Sequence, residues 1–582
     1  MMKLYLFLIC IFFPFYLKAQ IIPSNRVVNW KYAGLSTPNA SYQTVLNITN
    51  YGGNGNGIAL NDAAFINCKN SLNGMPGVIF FPAGTYLFHL PITLTDSIII
   101  RGESSSVTLL KFDFSGAISD CISASGTMQS QRYYFATDAL FDSTTISVSN
   151  NAGLYDGDYV RIYQNDTTLV ISSWAYGTVG QIGRIQTVGN ATALTLEHEL
   201  RKNYSVSDSA YLKVMYPVTG VGIECLSVER LDATVSQTSN IIFTNAVNCW
   251  IKGVESNMTN FAHVTLRSSS NIYIHESYFH HAFAYDGGGK AYGINCETTS
   301  GECLIENNIF NNLRHSMLCQ AGVNGNVFAY NYSTNPYWTQ PPFPSNTAGD
   351  IVLHGNYPFA NLFEGNIIQN IVIDNSHDIN GPYNTFFRNR AELYGLYMNT
   401  SPASNDQNFV GNEIPNSTVL MGNYTLAGTG HFQHGNNVKG TITPSGTNSL
   451  TDSSYYLTQK PFFFGANTWP CIGSPSPFNL LTIPAKDRFN LQNTLCSQVS
   501  AIEEIQKQTE SFKILLKNHG NILEVINNDR KRNVFFISDI QGRLLLSVKI
   551  PETMELNITK LKNGMHIITN YNHTVKFIKS SQ

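Results

Sequence analysis

Three short apolar segments in the middle of this 582-residue chain carry ionisable residues in similar positions: HVTLR at 263–267, HSMLC at 315–319 and DIVLH at 350–354. Each reads as a strand, and a strand sends successive side chains to opposite faces. With Leu266, Leu318 and Leu353 turned into a core, His263, His315 and Asp350 face outward together with Arg267, Cys319 and His354. The opposite register would bury those charges, at a cost of several kcal/mol each unless they were paired. Matching Ile371 and Ile373 to Ile351 and Leu353 adds Asp374 to the column of His354. Strands about 4.8 Å apart would let that carboxylate reach the imidazole directly. An Asp beside a His fixes its tautomer and raises its basicity, which suits a base that abstracts a proton.

Other groups fit around such a base. Arg267, Arg314, Arg388 and Arg390 are candidates to neutralise a carboxylate on an acidic sugar, which elimination next to that carboxylate requires. Asp350, Glu364, Asp374 and Asp378 offer a second mechanism, because two carboxyl groups about 6.5–9.5 Å apart support inverting hydrolysis. The same oxygens could instead hold Ca²⁺. His280, His281 and Lys290 fall in or beside the Gly-rich stretch HHAFAYDGGGKAYG, expected at the edge of a groove. Trp338, inside the Pro-rich stretch TNPYWTQPPFPSNTAGD, is the aromatic best placed to meet a sugar ring, and His377 is a further candidate substrate contact.

The elements that must position these residues repeat. Segments LIENN, VFAYN, LFEGN, TFFRN and NFVGN end at Asn308, Asn331, Asn366, Asn389 and Asn412, at intervals of 23, 35, 23 and 23 residues. A unit of that length, β-rich and closed by the same residue, is one coil of a parallel β-helix, with a loop inserted in the longer interval. The Asn side chains are expected to stack at one corner and satisfy the backbone of the bend.

Upstream, YGGNGNG at 51–57 precedes a short helix-like stretch, then FPAGTY at Phe81–Tyr86 and an RGE motif at Arg101–Glu103. Over roughly residues 26–490 the chain resembles the pectate-lyase-like superfamily, although Asn61-Asp62 stands where paired Asp is common. That resemblance implies a right-handed parallel β-helix and leaves the chemistry open, since one fold hosts many activities. The defined Asp pairs of polygalacturonases and the Arg-x-Pro-x-x-Arg run of pectate lyases are absent. Residues about 135–215 alternate apolar and polar between Gly and Asp turns, which predicts an inserted subdomain of short antiparallel strands.

Both ends differ from the middle. Residues 1–20 hold Lys3, an apolar run from Leu4 to Leu17 and Lys18-Ala19-Gln20, the pattern of a signal peptide. Residues 512–582 read as strands of a small β-sandwich after a polar linker at 501–511. Asp539–Arg543, Leu561–Gly564 and Lys576–Lys579 resemble the C-terminal sorting domain of type IX secretion cargo, with Met565-His566 in place of the usual aliphatic-Tyr pair. The resemblance implies export through the periplasm, then secretion or surface attachment, with the type IX machinery as partner. Residues 21–510 carry 23 basic against 34 acidic groups, which gives no basic face for nucleic acid. Nine cysteines follow the signal segment; Cys471 and Cys496 flank one loop-rich stretch and are candidates to pair. The expectation is an all-β, monomeric, polysaccharide-degrading protein acting by elimination. Hydrolysis or transfer on the same fold, and glycan binding without catalysis, remain as alternatives.

Overall fold

The computed structural model describes residues 20–36, 42, 44–190, 192–339, 349–494 and 496. In the C-terminal region it describes 512–517, 522–527, 534–539, 544–550, 553–558, 560–561, 564–570 and 573–579. The expected signal segment through residue 19 and the expected linker at 501–511 lie outside the described residues.

The chain forms a right-handed parallel β-helix with three faces. Each coil lays one short strand on each face, and strands with the same role pair in parallel from coil to coil. The first face is a 12-stranded sheet that includes Tyr273–His275, Leu304–Glu306, Val327–Ala329, Leu362–Glu364 and Thr385–Phe387. The second face carries Glu255–Thr259, Tyr278–Ala282, Ile309–Asn311 and Tyr332–Thr334. The third carries Ala262–Arg267, Tyr292–Glu297, His315–Cys319 and Ile351–Leu353. Strand Ile367–Ile373 spans the second and third faces, as does Arg390–Met398.

The interior is one continuous apolar column. Phe328, Phe363, Phe386 and Phe409 stack rung upon rung with centroids 5.0, 5.1 and 5.3 Å apart. At the top, helix Asp62–Ser71 packs Ala64, Phe65 and Cys68 onto the same core, covering apolar side chains that a bare coil end would expose.

The Asn repeat is a hydrogen-bonded ladder. Each Oδ1 accepts the backbone N–H and the Nδ2–H of the preceding ladder residue, from Asn308 through Asn331, Asn366, Asn389 and Asn412 to Asn436. Just before each of them, Asn307, Tyr330, Gly365, Arg388, Gly411 and Gly435 have φ between 53° and 67°. This left-handed residue turns the corner in two residues and aims the Asn side chain inward. A second ladder, Asn326–Asn361–Asn384–Gln407, runs up another corner. The 35-residue interval is the excursion between Thr334 and Ile351, as the interrupted period implies.

Between Thr127 and Tyr216 the chain leaves the coils to form the inserted antiparallel sheet, with its own core of Val160, Ile162, Ile185, Leu194 and Leu212. The segment from about 450 to 490 returns over the first face and buries Tyr455, Tyr456, Phe464 and Ile472 against it. The cysteine pairing differs from expectation: Cys225 bonds Cys496, and Cys471 is a buried free thiol. The C-terminal unit is a sandwich of one three-stranded and one four-stranded antiparallel sheet around Val525, Phe535, Ile537 and Ile568. Among the described residues no helix is long and apolar enough to cross a membrane.

Candidate active site

The third face presents a column of polar side chains. Arg267 pairs in register with Glu297, Cys296 with Cys319, Cys319 with Leu353, and Leu353 with Ile373. The next residue on each strand therefore gives the order Arg267, Glu297, Gln320, His354 and Asp374. Val264, Leu266, Met317, Cys319, Ile351, Leu353, Ile371 and Ile373 all enter the core, which sends their neighbours outward.

His354 and Asp374 meet as the column requires. The imidazole Nδ1 lies 2.6 Å from Asp374 Oδ2, and both side chains retain a little solvent contact, 12% and 13%. Asp374 Oδ1 accepts the backbone N–H of Ser376. Burial alone would push the Asp374 carboxyl up, but the imidazole charge and these hydrogen bonds outweigh it and hold the group below the usual range. With Nδ1–H donated to Asp374, the lone pair at Nε2 faces away from the pair, and no described residue bonds it. This is the arrangement of a general base.

Two more histidines adjoin the pair. The His377 ring stands edge-on to His354 at 5.1 Å, and the His315 ring lies 5.8 Å away. Burial, then the neighbouring Arg314 and His354 charges, keeps His315 well below its ordinary value, so it is a neutral wall. Burial, then His354, also lowers His377. Trp338 packs edge-on to His315 at 5.9 Å, and Arg314 lies over the Trp338 ring at 4.8 Å. Two residues absent from the sequence-based set, Glu297 and Gln320, complete the column, and Asn295 lies beside it. Glu297 is ion-paired with Arg267 at 2.6 Å and accepts from Asn295 at 3.0 Å, while Gln320 donates to Asn295 at 3.1 Å. Glu297 pairs in register with Arg267, so the alternation that turns Arg267 outward turns Glu297 to the same face, and aligning YGINCE with HVTLR would have found it.

Several expectations are corrected. The segments HSMLC and DIVLH are offset by one relative to the assumed alignment, so Leu318 faces outward and Cys319 inward. A one-residue slip exchanges the faces of a strand. Asp350 does not join the column: it is buried at a corner, accepting from Ser333 Oγ at 2.7 Å and Gln369 N at 2.6 Å, and burial lifts it to about 6. His263 is likewise buried against Ser256 at 2.8 Å. Arg314 is buried and spends its donors on Tyr292 Oη and the Lys290 carbonyl, while Lys290 Nζ is held by Asp286 at 3.0 Å.

Arg388, Arg390 and Glu364 sit on the coils but are engaged by the returning segment rather than by the column. Arg388 donates to the carbonyls of Asp452, Ile472 and Gly473. Arg390 pairs with Glu413 at 2.7 Å and donates to the Leu481 carbonyl. Glu364 accepts from Tyr330 Oη and Tyr455 N, both at 2.9 Å, and burial raises it to about 7. His280 sits in a second-face strand, 3.1 Å from Glu255. Among the described residues no group of three His, Cys, Asp or Glu side chains could hold a metal, so the Ca²⁺ expectation gains no support.

With this geometry in view, residues 45–187 match the family described as Rhamnogalacturonase A/epimerase, pectate lyase-like. The opening coils thus carry a pectate lyase-like signature. That match covers the first coils and part of the inserted sheet and stops short of His354. No curated protein matches the chain in sequence. Among solved structures, the tailspike gp49 of Pseudomonas phage LKA1 is 13% identical, covering 67% of this chain and 77% of its own at a TM-score of 0.39. The tailspike gp61 of Pseudomonas phage phi297 is 12% identical over 67% of this chain and 80% of its own, TM-score 0.37. An exopolygalacturonase from Thermotoga maritima is 11% identical over 65% and 82%, TM-score 0.35. Similarity that low carries no argument about this chain's chemistry.

Proposed function

We propose that the protein is an exported polysaccharide-degrading enzyme that cleaves a uronate-containing glycan by β-elimination, with His354 as the base. The observation that carries this reading is the 2.6 Å bond from His354 Nδ1 to Asp374, which leaves Nε2 as the proton acceptor. Nε2 takes the proton from the carbon next to the sugar carboxylate. The released electron pair forms the carbon–carbon double bond as the glycosidic oxygen departs with its own pair. Arg267, its side chain 46% exposed but paired with Glu297 and three rungs along the column from His354, is a candidate to meet a more distant carboxylate of the acidic polymer.

Inverting hydrolysis fits less well. It needs two carboxyl groups about 6.5–9.5 Å apart, and two of the expected carboxylates, Asp350 and Glu364, are committed elsewhere. Glu297 and Asp374 stand three rungs apart, about 14 Å at strand spacing. The apolar start and the sorting-domain resemblance supply the export part of the proposal, with the type IX machinery as partner.

The test is to incubate the mature protein with acidic and neutral glycans and follow two signals. Growth of ultraviolet absorbance from a conjugated unsaturated uronate, together with new reducing ends, is the expected result. Reducing ends without that absorbance would replace elimination by hydrolysis. Retention on a glycan with no product would replace catalysis by binding.

A further inference from the structure

Trp174 lies on a single short turn of the inserted sheet, Ser173–Ala175, far from the coils in sequence. It nevertheless reaches the histidine cluster: its ring stands edge-on to His377 at 5.5 Å, and Ser172 Oγ lies 3.2 Å from His377 Nδ1. His377 in turn is in edge contact with His354. Trp174 is 52% exposed and Tyr176, two residues on, is 50% exposed. Leaving half of two large rings in water forgoes apolar burial that a fold normally takes.

A loose loop does not account for this exposure, because the turn is clamped from both sides. Asp166 accepts the backbone N–H groups of Gly177, Thr178 and Val179 at 2.8, 2.9 and 2.9 Å. Ala175 is fully buried, and Thr178 Oγ1 donates to its carbonyl at 2.7 Å. The buried Arg161 ties the turn to the coils, donating to the Gly177 carbonyl, Thr299 Oγ1 and Ser268 Oγ. The turn that carries the ring is therefore fixed, and the ring stands half open to solvent against His377.

We propose that Trp174 is a specificity-determining residue, a platform on which the face of one pyranose ring stacks, next to the sugar that reacts at His354. A rigid aromatic face binds the C–H face of a sugar with little ordering cost, because the surface is already in place. Two ring contacts separate Trp174 from His354, so the stacked sugar is a neighbour of the reacting one. The inserted sheet thereby sets which chain is held, while the coils supply the chemistry. This inference rests on the glycan-degrading reading of the same site.

The experiment uses the mature chain and its Trp174→Ala, Trp174→Phe and His354→Ala variants, titrated with sodium polygalacturonate and with a neutral galactan. The chain has five tryptophans, and Trp30 and Trp250 are buried, so emission that responds to polymer and is lost in Trp174→Ala reports this ring. The expected result is a saturable emission change with one polymer. Trp174→Ala weakens that binding, or raises KM for turnover, by about tenfold, with kcat changed by less than about threefold. Trp174→Phe restores most of the loss. Equal binding and KM in Trp174→Ala and the parent protein would overturn the platform, as would no emission change with either polymer. His354→Ala separates the two ideas. If it keeps the emission change and loses turnover, both stand. If turnover persists in it while Trp174→Ala is impaired, the base assignment fails and the platform stands.

Discussion

At the scale of single residues, the proposed chemistry rests on the pair His354–Asp374, with the His315 and His377 rings beside it. His354→Ala is expected to lower turnover by about 10²–10⁴ with little change in melting temperature. Asp374→Asn is expected to cost less and to move the acidic limb of the rate profile toward lower pH, because the imidazolium loses its counter-charge. Full activity in a folded His354→Ala protein would end the assignment. Glu364 makes the opposite kind of statement. Burial raises it to about 7, so the fold favours its protonated form. That contribution is complete below the unfolded glutamate value of about 4.3 and is lost as pH rises through 7. Thermal melts at pH 5 and pH 8 are expected to show a smaller drop for Glu364→Gln than for the parent chain.

At the scale of elements, the corners carry the register. Asn366 is buried and holds the Asn331 backbone and side chain through Oδ1, while its Nδ2 donates to the Phe328 carbonyl at 2.9 Å and to Asn389. Asn366→Leu leaves these groups without partners and is expected to destabilise the protein by about 1–3 kcal/mol in chemical denaturation. Asn54→Leu, at an exposed turn before the capping helix, is expected to be nearly neutral. Equal effects would mean the ladder adds nothing. The same corner geometry explains Arg388. Its left-handed backbone turns the side chain out of the ladder, where it grips four carbonyls of the returning segment.

At the scale of the whole molecule, closure comes from far along the chain. Cys225 and Cys496 are 271 residues apart, and their bond ties the end of the returning segment to an early coil. A cross-link closing so long a loop removes much unfolded-state freedom, so Cys496→Ser is expected to cost about 2–5 kcal/mol and to lower the melting temperature under oxidising conditions. The C-terminal sandwich has its own core. Deleting residues 512–582 is therefore expected to leave a folded β-helix, and, if the tail is the proposed sorting signal, one that stops in the periplasm. Normal surface delivery of the truncated chain would refute the sorting role.

The sequence by itself determined the β-helix, its inserted sheet and the meeting of His354 with Asp374. A coil repeats the same environment at the same residue, so a stack of coils writes its period directly into the chain, as the Asn spacing does. The match of IVL at 351–353 with IVI at 371–373 then fixed the pair, because both strands alternate in phase. Where phase had to be guessed, at HSMLC, one residue of offset moved Cys319 into the core and left Gln320 outward. Only the tertiary structure decided what covers the coils. Arg388 and Arg390 find carbonyls 62–91 residues away, and Trp174 reaches His377 across about two hundred residues. Contacts of that kind follow no period: they depend on where an insertion and a returning segment pack, and the local pattern of neither records the partner.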